Sequence, residues 1–207
     1  MFENCCVLTA LDVSGWDTSC VTSMSCMFSN CSSLTSLDVS GFDTSNVTNM
    51  CGMFMDCSGL TELDLSGFDT SCVTDTSWMF HGCTGLTVLD LSNFDTSNVT
   101  DMCNMFEGCS SLAELDLSSF DTSSVMSDDY MAASEMYAMF QGCSSLVTIY
   151  ASASFVTGSI TSSGSMFDGC SSLVGGAGTS WDAGNPTNKT YARIDGGPAS
   201  PGYFTSH

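Results

Sequence analysis

One spacing governs what this chain can become. A Met-Phe pair stands at Met1, Met27, Met53, Met79 and Met105, each 26 residues after the last, then at Met139 after 34 and Met166 after 27. Cysteine keeps step at Cys5, Cys31, Cys57, Cys83, Cys109, Cys143 and Cys170. Seven rungs in so regular a register specify a solenoid. One 26-residue unit cannot bury its own apolar face, whereas stacked neighbours build a continuous core.

Each unit divides into two periods. In the stretch LTSLDVS the apolar Leu34, Leu37 and Val39 end in an alternation of two, which predicts a short strand. From Val47 the apolar positions are Val47, Met50, Met53, Phe54 and Cys57, a rhythm that predicts one face of a short helix. Asp43, Thr44 and Ser45 are suitable N-caps for it. Its end is marked by Asn4, Asn30, Asp56, Gly82, Gly108, Gly142 and Gly169, residues that tolerate the left-handed conformation. Gly15, Gly41, Gly67 and Asn93 mark a turn after each strand. The expected fold class is therefore an α/β repeat solenoid of leucine-rich-repeat type. Parallel short strands about 4.8 Å apart form one face and short helices the other, over a length of about 30 Å. Residues 1–174 form the seven-rung array and 175–207 a C-terminal cap.

The pattern Leu60, Leu63, Leu65 is that of a leucine-rich repeat. The combination Met-Phe-x-x-Cys-Ser-Ser-Leu-Thr-x-Leu-Asp-Leu-Ser-x-Phe-Asp-Thr-Ser-x-Val-Thr resembles the BspA-like leucine-rich-repeat surface proteins of bacteria, including the mycoplasma lipoprotein-type repeats. The resemblance covers about residues 1 to 174. The tail YARIDGGPASPGYFT is similar to segments that close such arrays in gut bacteria. The resemblance implies a secreted or cell-wall-attached protein acting as an adhesin toward host matrix proteins or other bacteria.

Two carboxylate ladders follow from the repeat. Asp12, Asp38, Asp64, Asp90 and Asp116 lie between inward apolar residues and so point outward on the strand face, with Glu62 and Glu114 two residues before. Carboxylates about 5 Å apart repel by roughly 1 kcal/mol in water. Two compensations are open: hydrogen bonds from Ser40-type hydroxyls with solvation, or bound Ca²⁺, which takes many oxygen ligands. Neither an EF-hand nor a nonapeptide calcium motif occurs, so no cofactor is assigned and the ion rests on geometry alone. The second ladder, Asp17, Asp43, Asp69, Asp95 and Asp121, precedes the expected helix and reads as N-capping.

Thirteen cysteines in a surface protein suggest disulfides. The ladder members point the same way on the apolar face, however, and read as small buried hydrophobes. Cys20 with Cys72, and Cys51 with Cys103, sit two rungs apart, near 10 Å by the strand spacing and beyond bridging reach. Cys26 with Cys51 is the neighbouring-rung pair to test. Zinc is disfavoured: no C-x₂-C motif occurs, and the histidines are His81 and His207 alone. His81 reads as a solvated turn residue. No nucleophile is clustered with a base, so the chain reads as non-enzymatic. The sequons at Asn30, Asn46, Asn98 and Asn188 are mostly by-products of the repeat.

Composition narrows the partners. Net charge is -21, with Lys189 and Arg193 the only fixed cations, so nucleic acid and anionic membrane are repelled. A partner should be cationic, neutral or metal-bridged. No apolar run approaches the roughly 18 residues of a membrane helix, so the chain is not membrane-embedded. Met1 lacks a signal peptide and falls in repeat register. It reads as an internal methionine of a longer surface protein. If it is native, the bare first rung should pair with another chain, giving a dimer.

Function is expected where the repeat breaks. Met136 follows Val125 by eleven positions instead of the usual three. The extra stretch MSDDYMAA should add about two helical turns, projecting Asp128, Asp129, Tyr130 and Tyr137 as a protrusion, either a tolerated insertion or a partner contact. One rung later Tyr150 and Val156 replace the ladder aspartates. Tyr150 with Asp116, Asp90 and Glu114 forms the expected contact patch, with Asp64 and Tyr130 as further ligand-binding candidates. The function expected is an extracellular binding module on the bacterial surface, recognising a protein or glycan on a host or neighbouring cell. The rival is a structural spacer or self-assembling surface element.

Overall fold

The repeat dictates a stack, and the stack is what forms. The computed structural model describes residues 1–126 and 135–207. Successive rungs lie over one another so that each phenylalanine of a Met-Phe pair meets the next. Ring centroids of Phe28, Phe54, Phe80, Phe106 and Phe140 follow at 5.8, 5.9, 5.8 and 5.8 Å, with planes within 13°. Phe2 joins one end of the column and Phe167 the other. The six rings from Phe28 to Phe167 have no exposed surface. Burying an aromatic ring contributes about 3 kcal/mol, so this column dominates the core.

The helix expected over Val47–Cys57 does not form. Among the described residues the only helical pieces are two 3-10 turns, Lys189–Tyr191 and Gly197–Ala199. What replaces it explains why the apolar rhythm misled. The backbone runs as consecutive tight turns: Met53 N–H donates to Met50 C=O and Cys57 N–H to Phe54 C=O, each three residues back. The alternate amides turn outward to the next rung. Met50 donates to Asp75 at 2.9 Å, Gly52 to Ser77 at 2.8 Å, Phe54 to Met79 at 3.0 Å, and Asp56 to His81. A helix would spend those donors within its own segment.

Two left-handed residues per rung make this possible. One is the turn expected from sequence, at Asn30, Asp56, Gly82, Gly108, Gly142 and Gly169. The other lies four residues earlier, at Cys26, Gly52, Trp78, Asn104, Ala138 and Ser165. Four of those six are poorly suited to positive φ, at a cost of about 1–2 kcal/mol each. The rung-to-rung hydrogen bonds, about 1 kcal/mol net apiece, offset it. A lone helix of about ten residues is marginal in water, so the stacked turns win.

The strand face is a parallel sheet only toward one end. Strands β1 (Glu114–Leu117), β2 (Thr148–Ala151) and β3 (Phe204–Thr205) are parallel in that order, with Asp116 beside Tyr150 and Tyr150 beside Thr205. Among the described residues, segments 36–40, 62–66 and 88–92 make no backbone bonds to one another. There the stack is held elsewhere, through bridges joining Ser23, Asn49, Asp75 and Asp101 in turn.

Buried threonines give a further tie. Thr70 Oγ1 donates to Asp95 C=O at 2.9 Å and accepts from Asp95 N–H at 2.8 Å; Thr44 does the same with Asp69. Beyond the last Met-Phe pair, Tyr203 packs edge-on against Phe167 and stacks on Tyr191. Phe204 meets Phe140, Phe155 and Phe167 edge-on. Both fixed cations are spent on carbonyls here: Lys189 Nζ on Thr157 and Ile160, Arg193 Nε on Pro201.

Candidate functional site

The outward aspartates occupy one face, and each is held by a serine two residues on. Asp38 Oδ1 accepts from Ser40 N–H at 3.0 Å and Ser40 Oγ at 2.6 Å; Asp12 is held by Ser14 in the same way. Asp64, Asp90 and Asp116 accept from the amides of Ser66, Ser92 and Ser118 at 2.9–3.0 Å. The serine hydroxyl lowers the Asp38 pKa most, the serine amide next, against the repulsion of Asp12 and Asp64. In Asp90 the serine amide leads. The whole row therefore stays ionised well below neutral pH.

Asp12, Asp38, Asp64 and Asp90 line one shallow groove of about 1020 Å³, with Glu62 and the exposed Val88. The serine bonds align it as a comb of negative charge. Among the described residues no three carboxylate, thiol or imidazole groups converge as metal ligands, and the serines already occupy the Oδ1 atoms.

Two of the expected contact residues meet an unexpected third. Asp116 and Tyr150 stand side by side across the β1–β2 pair, and His207 covers both. Its ring stacks on Tyr150 with centroids 4.3 Å apart and planes 17° from parallel, and its Nε2 lies 2.8 Å from Asp116 Oδ2. At Asp116 desolvation pushes the pKa up; the Ser118 bonds and His207 outweigh it and leave the group below its usual value. Glu114 is exposed at the start of β1. Asp64 and Asp90 lie in the open groove rather than under the tail. Tyr130, with Asp128 and Asp129, lies outside the described residues, as does most of the expected two-turn insertion. Tyr137 is exposed beside the left-handed Ala138. Nothing in the chain marks His207 in advance: a single residue 57 positions from Tyr150 carries no periodicity.

The second ladder keeps its chemistry without its helix. Asp69 Oδ1 accepts from Ser71 N–H at 3.0 Å and Ser71 Oγ at 2.6 Å, closing a turn rather than capping a helix. His81 is not simply solvated either. It sits between Asp56 Oδ1 at 3.7 Å and Glu107 Oε2 at 3.5 Å, against the Trp78 ring.

The ladder cysteines from Cys31 to Cys170 are buried and donate across rungs, while Cys5 is half-buried. Cys57, Cys83, Cys109, Cys143 and Cys170 each place Sγ 3.0–3.1 Å from the phenylalanine carbonyl of the preceding rung. Burial pushes the Cys57 and Cys170 thiols up to about 12, which removes thiolate chemistry. Among the described residues no disulfide joins any pair, Cys26 and Cys51 included.

A family model described as "Mycoplasma protein of unknown function, DUF285" matches residues 1–88 and again 85–193. The chain belongs to this family. The DUF285 match bears out the resemblance to mycoplasma-type 26-residue repeats. A search of curated proteins finds no significant match. Among solved structures, this DUF285 chain is similar to a leucine-rich cell surface protein from Faecalibacterium prausnitzii A2-165, at 25% identity and a TM-score of 0.31. The likeness covers 61% of this chain and 35% of that one. No helix among the described residues is long and apolar enough to cross a membrane.

Proposed function

We propose that this chain is an extracellular binding module of a bacterial surface, without enzymatic activity, that holds a cationic segment of a protein or glycan on a host or neighbouring cell. One observation carries the proposal: the fixed, ionised row Asp12, Asp38, Asp64, Asp90 along an open groove in a molecule of net charge -21. Such a row steers and orients a basic partner, and its attraction is screened by salt. The test is binding of a basic host-matrix protein, by surface plasmon resonance, at 50 and 500 mM salt. Affinity should fall at least tenfold with salt and again in an Asp38→Asn, Asp64→Asn double variant. Salt-independent binding unaffected by the double variant would overturn the proposal.

A second reading, self-association, has one observation in its favour. Phe2, Leu8, Leu11, Trp16 and Val21 are only partly buried, whereas their counterparts Phe28, Leu34 and Val47 are fully covered. Sedimentation velocity across a hundredfold concentration range tests it. A concentration-dependent dimer, abolished by Trp16→Glu, would favour assembly.

A further inference from the structure

The groove's far end is not open. There β3 (Phe204–Thr205) runs alongside β2, and His207, two residues on, lies on Tyr150 and Asp116. A flat ring that becomes a cation on protonation is thus stacked on an aromatic face and paired with a carboxylate. That is the arrangement by which proteins grip a guanidinium or imidazolium from a partner.

We infer that Tyr150 and Asp116 form a recognition subsite for a flat cationic side chain, above all arginine, carried on an extended partner segment, and that His207 occupies it as a displaceable internal ligand. The inference rests on the groove reading above and names the side chain its far end takes.

Three observations support it. Tyr150 is the one aromatic in the column that otherwise holds Asp12, Asp38, Asp64, Asp90 and Asp116, so the rung offers a stacking platform where the others offer charge. Asp116 spends Oδ1 on Ser118 N–H and leaves Oδ2 for an incoming donor. The clasp is exposed: the side chains of His207 and Asp116 keep 57% and 48% of their surface in solvent. An exposed ion pair contributes little. A strand of two residues adds few bonds to hold it. A partner arginine brings a permanent charge and two donors where His207 brings one.

The experiment uses a fluorescently labelled eight-residue peptide of alternating Arg and Ser, with binding followed by anisotropy for wild type, His207→Ala, Tyr150→Ala/His207→Ala and Asp38→Asn/Asp64→Asn. In parallel, the His207 ring protons are followed by NMR during titration of the wild type. Removing His207 should tighten binding at least threefold, and removing Tyr150 as well should cancel the gain. The His207 protons, shifted upfield by the Tyr150 ring, should move to free-histidine positions at saturation. Unchanged or weaker binding by His207→Ala, or His207 signals unmoved at saturation, would overturn the inference. In that case a loss of binding in Asp38→Asn/Asp64→Asn would leave the groove reading standing. Binding by none of the four proteins would overturn both.

Discussion

Cys57 lies over Phe28: its thiol sits 3.1 Å from the Phe28 carbonyl oxygen, one rung away. That contact states in one bond why the repeat keeps a cysteine where alanine or valine would also fill space. The sulfur fills the small gap beside the ring column and supplies a weak donor across the rung junction. The ladder thiols from Cys31 to Cys170 should resist labelling by a maleimide in the native state, while the exposed Cys6, Cys20 and Cys72 react. Mass spectrometry after partial labelling checks this. Cys83→Ala should cost about 1–3 kcal/mol in urea unfolding through the lost sulfur and its bond.

Ser165 is left-handed, with φ at 56°. Glycine adopts that conformation without steric cost, so Ser165→Gly should stabilise the protein by about 0.5–1 kcal/mol. In a helix the same change would destabilise by a similar amount. The sign of the shift in melting temperature therefore separates the stacked-turn backbone from a helical one.

Thr70 and Asp69 are neighbours with unequal roles. Thr70→Ala leaves the Asp95 N–H without its partner inside the stack, at a cost of about 1–3 kcal/mol. Asp69→Ala removes two exposed turn bonds, from Ser71 N–H and Oγ, and should lower the melting temperature less. Calorimetry on both variants gives the ranking; the reverse order would contradict the structural account.

Asp195 anchors the chain's last turns. Its carboxylate accepts from Ala177 N–H, Thr179 N–H, Thr179 Oγ1 and Gly197 N–H. Desolvation acts upward on its pKa, but these four bonds win and hold it at about 2, below the ordinary 3.8. A depressed folded value means stability that is fully present above pH 3.8 and is lost as pH falls toward 2. The melting temperature should drop over that window. Asp195→Asn should be less stable at pH 6 and show a smaller further loss between pH 4 and 2.

The repeat register, the burial of the cysteines and the outward aspartates are legible from residue identity, because each recurs in step and each has a single physical use in a stack. The left-handed turn at Asn30, Asp56 and Gly82 is legible because those residue types favour it. The second left-handed position is not, because Cys26, Trp78, Ala138 and Ser165 disguise it. Without it, Val47, Met50, Met53, Phe54 and Cys57 fit a helix and a chain of four-residue turns equally well. Hydrogen bonding between rungs decides between them, and no single rung's sequence carries that information. The acidic groove followed from the ladder itself, while the His207 clasp depended on a fold-back that only the assembled sheet edge reveals.

Alternate backbone amides join the rungs, and NMR can read out those bonds one at a time. A long-range HNCO experiment detects scalar coupling through a hydrogen bond, from donor nitrogen to acceptor carbonyl carbon. The rung-to-rung bond should give a cross-peak from Phe54 N to the carbonyl carbon of Met79, on the next rung. A cross-peak from Phe54 N to Met50 instead, the helical partner four residues back, would contradict it.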